Sequence, residues 1–488
     1  MSLSSLALTS LLTLQSTFSL LPGSPAPPLP PSLLLTQTSR QTEAIQLLEQ
    51  GIKQYRSSQF EASLKSLQQA LAIFQTINDQ PNQIRTIRNI GNVFYLLSQF
   101  DRAVAYYQQS LYLARKIQNR EGEAAALGNL GVIAINQGDY RQANEYYQQA
   151  LPLYRQVRDR LGEGQTLGNL GDLANSLGNF AQAIVYQQQA LAIAREIRDQ
   201  QLEANTLGSL GVSYYNQSNY LKAIEYHQQH LTLARQMGDR RGEAAALNNL
   251  GNDYYALGDY GKAIAFLEQR LVIARETQDP LGEAQSYKNL ASIYYDLGNY
   301  SPSIDYAFKS LEIARKLKNR PLEASVLTQL GNLYLVVQDY VQAIRYHQQR
   351  LTLAQSMEDL SGEGISLINL GNVYKMTGQS ARAIQVQQQA LAIARKLQDR
   401  GLESSALLNL GIGYDDRRQF AQAIEHYQQA LTIARTTQDR PTAAQILNNL
   451  GNTQFRAGRL AEAETTLRSG LQLWESLRAT LGNNDLNK

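Results

Sequence analysis

The chain has 488 residues, 18% of them charged, and a formal net charge of +3, with 28 Tyr, one Trp and no Cys. Without a thiol there is no disulfide framework, thiolate zinc cluster, iron–sulfur centre or cysteine nucleophile. A balance so near neutrality supplies no basic field for nucleic acid, and the low charge leaves Gln, Asn and Tyr to fill the surface.

The first 39 residues stand apart from the rest. Residues 1–21 are rich in Leu, Ser and Thr, and Pro22, Pro25, Pro27, Pro28, Pro30 and Pro31 follow. A Leu-rich head before a Pro-rich break resembles an export signal, so residues 1–39 read as leader and linker. That reading favours an exported or periplasmic chain over a cytoplasmic one, the alternative being a disordered arm. No Lys or Arg precedes Arg40, and Ser, Thr and Gln interrupt the apolar run. It is too short to span a bilayer, and no membrane association is expected.

From residue 40 to 478 the chain repeats itself at an offset of 40, without insertion or deletion. Gly51, Gly91, Gly131, Gly171, Gly211, Gly251, Ala291, Gly331, Gly371, Gly411 and Gly451 fall in register, as do Leu71, Leu111, Leu151 and their successors to Leu471. Eleven units of one period predict an array of stacked units in place of several ordinary domains. Each unit reads as two helices. Around Gly131, the residues Leu127, Leu130 and Ala134 recur at helical spacing, Gly138-Asp139 breaks the run, and a second helix carries Ala143, Tyr147, Ala150 and Leu151.

Asp or Asn at the unit boundaries (Asp79, Asn119, Asp159, Asp199, Asp239, Asp279, Asn319, Asp399, Asp439) are placed to cap the next helix, with Glu123, Glu163, Glu203 and Glu243 just inside its positive end. Pro152 predicts a local kink in a second helix. At the ends, Gln50, Leu460 and Glu464 replace residues that elsewhere suit a covered face, as terminal units should. Residues 479–488 read as a polar tail. The predicted fold is all-α, an α-solenoid of about eleven stacked helix–turn–helix repeats.

The pattern Leu247, Leu250-Gly251, Tyr254, then Ala263, with Tyr107, Tyr147 and Tyr427 as second-helix aromatics, resembles the tetratricopeptide repeat, or TPR. Its unit is longer than the usual 34 or so residues. It is similar to the long repeats of Pins/LGN adaptors and kinesin light chains, as in Leu247-Asn248-Asn249-Leu250-Gly251-Asn252 and Ala274-Arg275. The resemblance implies a right-handed superhelix with a concave groove, and a non-enzymatic scaffold that binds a protein or peptide partner. The segment Leu473-Trp474-Glu475-Ser476-Leu477-Arg478, with Leu481-Gly482 and Asp485, also resembles the junction of bacterial proteins that join such repeats to a caspase-like CHAT domain. That domain needs a Cys, which this chain lacks, so the peptidase half is either missing or encoded elsewhere, and in the second case the resemblance implies a separately encoded CHAT peptidase as partner.

Two rows of Asn mark the candidate binding site. Two residues before the small position stand Asn89, Asn129, Asn169, Asn249, Asn289, Asn369, Asn409 and Asn449; one residue after it stand Asn92, Asn252, Asn332, Asn372 and Asn452. Spaced three apart on a helix, the two rows share a face. A carboxamide offers donor and acceptor to a peptide group. In TPR proteins the matching positions line the groove and bind an extended peptide; otherwise these Asn brace neighbouring units. The TPR clamp for a C-terminal carboxylate uses basic residues three and six before the glycine. Arg85, Arg88 and Lys288 hold such positions, but Ala125 and Gln165 interrupt the set, so a neutral groove for uncharged segments is expected.

Gln-Gln pairs (Gln108-Gln109, Gln148-Gln149, Gln228-Gln229, Gln348-Gln349, Gln428-Gln429) read as a solvated outer face. His227 and His230 share a face, with no third ligand at fixed spacing, and read as a surface pair. Every Gly is in repeat register or at a helix end, and none forms a phosphate loop. No catalytic constellation, cofactor, metal site or small-molecule substrate is expected. The reading is a scaffold that binds an extended peptide or partner protein along the Asn-lined groove; the alternatives are a regulatory subunit of a CHAT peptidase and a self-assembling structural solenoid.

Overall fold

The computed structural model describes residues 31–485, with side chains over 38–479. These residues form twenty-two α-helices and no strand, joined by connections of two or three residues: an all-α solenoid of helix pairs. The first helix, α1 (Pro31–Arg56), begins inside the segment read as linker. The last, α22 (Leu460–Asp485), runs through much of the segment read as tail. The leader over residues 1–30, with its export-signal reading, lies outside the described residues. No described helix is long and apolar enough to cross a membrane.

Helix boundaries follow from their caps. Asp79, Asn119, Asp199, Asp279, Asn319, Asp399 and Asp439 each accept a backbone N–H three residues on, which satisfies one of the free donors at a helix start. Where a helix closes, one residue takes the left-handed conformation. Gly138 does so at φ 77°, but Arg158 and Arg198 do so at φ 58° with a Cβ to accommodate. The helix Tyr140–Val157 continues unbroken through Pro152.

The chain divides into two compact units, residues 1–173 and 174–488, with the division inside the helix Arg160–Ser176 (α7). In the first, Leu48, Leu67, Phe74, Ile90, Phe94 and Tyr107 form one buried cluster, and Ala124, Leu127, Ala150 and Tyr154 another. In the second, the cores include Leu231 with Leu247 and Leu250, and Leu431 with Ile446, Leu447 and Leu450. In both, the periodic glycine is a steric match to the residue sixteen positions on. A Cβ at Gly91 would stand 2.5 Å from the Tyr107 ring, at Gly251 2.8 Å from Leu267, and at Gly411 2.5 Å from Tyr427. Where Ala291 replaces glycine, the facing residue is Ala307, and both are fully buried. A methyl on the first residue thus goes with a small partner on the second, as close packing demands.

His347 occupies the same position opposite Gly331, fully buried, with neither ring nitrogen partnered. Burial pushes its pKa down to about 4 from an ordinary 6.5. Folded, the ring stays neutral until about pH 4; unfolded, it takes a proton near pH 6.5. Its contribution to stability is therefore intact above pH 6.5 and declines as pH falls from there to about 4, by roughly 3 kcal/mol. In His347→Leu that loss disappears, which thermal unfolding measured at both ends of the window will show.

Candidate peptide-binding face

The rows of Asn lie at mid-helix on the first helices, where each side chain is half-buried, except that Asn332 and Asn452 are exposed. In the first unit, Asn92 Oδ1 accepts from the Tyr107 hydroxyl (2.8 Å) and from Asn129 Nδ2 (3.1 Å), while Asn89 Nδ2 donates to its own helix at Arg85 O. In the second, Asn252 Oδ1 accepts from Asn289 Nδ2 (3.2 Å). Gln329 Nε2 donates to Ser292 Oγ (3.0 Å) and to Lys288 O (3.3 Å) at equivalent places. So the row before the glycine reaches back to the row after the glycine of the preceding repeat, and Asn129 and Asn289 brace repeats together. A second set of rungs runs beside the first: Asn136 to Tyr95 in the first unit, and Asn216 to Asn175, Tyr255 to Asp296 and Arg456 to Asp415 in the second. The sequence carries a signal for both, in polar pairs separated by 37 and 41 residues.

Other members of the rows are uncommitted. Among the described residues, the amides of Asn169, Asn332, Asn369, Asn372, Asn409 and Asn449 have no protein partner, and Asn452 reaches only Asn448, at 3.5 Å. Asn332 borders a recess of about 380 Å³ with Tyr255, Lys288, Ser292, Asp296 and Gln329. Lys288 is half-buried there, makes no ion pair, and has its pKa pushed down by burial. Asp296 is held by the Tyr255 hydroxyl, and Gln329 Oε1 is buried without a partner. The recess thus offers unused donors at Lys288 and Asn332 and an unused acceptor at Gln329.

Further along the same unit the first-helix face changes character: Val336, Ile365 and Met376 are exposed there. The neutral polar face expected from the Asn rows is therefore interrupted by an apolar stretch. The rows alone did not show it, because these side chains sit six before and five after the glycine.

Two other expectations change. Gln of the Gln-Gln pairs is structural as well as solvated: Gln149, Gln229, Gln349 and Gln429 each accept from an Arg of the preceding second helix (Arg115, Arg195, Arg315, Arg395). The same Arg bonds Glu123, Glu203, Glu323 or Glu403. Burial raises the carboxyl pKa of Glu243, but hydrogen bonds from Arg235 and Arg240 outweigh it and the net shift is down. His227 and His230 are not a surface pair but are both buried. His227 Nδ1 bonds Asp253 Oδ2 (2.6 Å), and Asn249 Nδ2 donates to Nε2 (3.3 Å), which leaves the proton on Nδ1. Burial raises the Asp253 pKa, and His227 partly counters it.

The abundant Tyr also has a place. Phe94–Tyr106 in the first unit, and Tyr214–Tyr226, Tyr254–Phe266, Tyr294–Tyr306 and Tyr334–Tyr346 in the second, stack between the two helices of a repeat with centroids 5.3–5.5 Å apart. Each such pair contributes about 0.5–1.5 kcal/mol beyond its burial.

Residues 54–116, 122–196, 202–276, 282–356, 322–396, 362–436 and 402–476 match the tetratricopeptide repeat family. No curated protein matches the chain. Among solved structures, a signal transduction ATPase with numerous domains from Pyrococcus horikoshii, which has a tetratricopeptide repeat sensor, is 18% identical at a TM-score of 0.52. That match covers 70% of this chain and 55% of the other. The apo form of RapI is 14% identical at a TM-score of 0.55, covering 73% and 98%. At these identities the two structures show the fold alone. With its repeats matched over most of its length, the chain belongs to the tetratricopeptide repeat family.

Proposed function

We propose that this chain is a non-catalytic protein-interaction scaffold that binds an extended segment of a partner protein across the first-helix face. The family supports a binding role. The observation that carries the reading is the recess at Lys288, where unused donors and a buried unused acceptor stand together on one face. An extended backbone, with an N–H and a C=O at every residue, satisfies such groups without a special side chain. The row after the glycine, Asn332 and Asn372 above all, extends the contact, while Asn129 and Asn289 hold the repeats in place.

The test is capture of partners by the full chain, identified by mass spectrometry, and titration of the captured segment as a synthetic peptide. Lys288→Met, Asn332→Ala and Asn372→Ala together remove groups contributing about 3 kcal/mol, so binding is expected to weaken about a hundredfold. The melting temperature is expected to hold, because these side chains have no protein partner. Equal loss of stability and of binding would contradict the reading.

A further inference from the structure

Among the described residues, the second helix of a repeat is covered by the first helix of the next, whereas α22 packs on α21 and meets no further described helix. The leucine twenty residues after the glycine measures the difference. Leu231 is 1% exposed and Leu431 7%, whereas Leu471 is 60% exposed. Three residues on, Ala194, Ala234, Ala314 and Ala394 are fully buried, whereas Trp474 takes that place and is 47% exposed. The apolar face of α22 is thus the same surface that is covered elsewhere in the chain, with an indole where alanine would be.

The chain also contains the kind of helix that covers an aromatic at this position. Tyr154 is the counterpart of Trp474, and it is buried because α7 presents Gly162, where a Cβ would strike the ring. Leucines three apart complete such a covering helix: Leu447 and Leu450 pack with Leu431, and α7 carries Leu167 and Leu170 at the same positions. A second copy of the chain stacked head to tail does not supply this pattern. At the places of Gly162 and Leu170, α1 has Thr42 and Gln50, both exposed, and would set a β-branched residue against the indole and an amide against Leu471.

We infer that the face formed by Leu471 and Trp474 docks an amphipathic helix of a partner protein, which lays a glycine against the indole and a pair of leucines, three apart, over Leu471. The contact is helix-in-groove recognition, continuous with the repeat-to-repeat interface and separate from the first-helix face.

Trp474 is the sole tryptophan, so its emission reports this face alone. The probe is a lactam-bridged peptide with the sequence of residues 159–177, titrated into the full chain. The expected result is a saturable blue shift that weakens at least tenfold when the peptide carries Gly162→Leu or the chain carries Leu471→Asp. The latter is at an exposed site and is expected to melt as the parent does. No shift with the bridged peptide overturns the inference, as does a shift indifferent to Gly162→Leu. A blue shift that grows with chain concentration alone assigns the face to a second copy. Emission already shifted at high dilution shows that the chain covers the face itself. Either of these results also overturns it.

Discussion

His227→Leu is expected to destabilise the second unit by about 3–5 kcal/mol, because it strips the partner from a carboxylate buried beside it. Asp253 is 1% exposed and its second oxygen, Oδ1, already lacks a partner, so no solvent compensates the loss. Adding Asp253→Ile to His227→Leu is expected to restore the parent stability or exceed it. The chain has carried out the same exchange itself: one repeat on, Leu267 stands where His227 does and Ile293 where Asp253 does, and both are buried. Urea unfolding of the two single variants and the double variant decides the matter. A double variant no more stable than His227→Leu would show that the pair is not an isolated polar substitute for an apolar one.

Gly411→Ala is the second large effect. The added Cβ would lie 2.5 Å from the Tyr427 ring, which is buried and cannot swing aside, so a cost of about 1–3 kcal/mol is expected. Tyr427→Ala alone should cost about 3–5 kcal/mol through the cavity it leaves. The double variant reproduces the Ala291–Ala307 pair of another repeat, so its cost is expected to fall short of the sum of the singles by about 1–3 kcal/mol. Strict additivity would mean that the glycine is retained for backbone reasons and not for the ring it faces.

The fold could be read because a repeat array is nearly one-dimensional: each unit contacts its neighbours, so a period of 40 and the capping residues Asp79, Asn119 and Asp199 determine the helices locally. Side chains that act between repeats were harder to place. The spacing of His227 and His230 puts them on one face of a helix but does not say whether that face meets water or the next repeat. Gln149 and Gln229 look solvated by polarity, yet each accepts from an Arg of the preceding repeat. Comparing the repeats with one another recovers some of this. His227 is matched by Asp253, and Gln187 by Ser213 at 2.8 Å, each 26 residues on. Apolar residues occupy the same two places at Leu267 and Ile293. His347 breaks that rule by facing Val373, which is why it is buried without a partner.

The candidate site was legible in part. The Asn rows lie on the first helices, as their spacing implies, but a carboxamide at a repeat boundary suits a neighbouring repeat as well as a peptide, and Asn129 and Asn289 show the first use. The recess at Lys288 depends on Tyr255, Gln329 and Asp296, which belong to three different repeats and have no common motif.

The central claim is that a partner segment lies on the first-helix face. Photo-crosslinking tests it most directly, with benzoylphenylalanine placed at Asn332 in one variant and at Gln348, an exposed second-helix position, in another. The captured partner is expected to crosslink from position 332 and not from 348, and Lys288→Met is expected to lower the yield of the product. Crosslinks from 348 and none from 332 would contradict the claim.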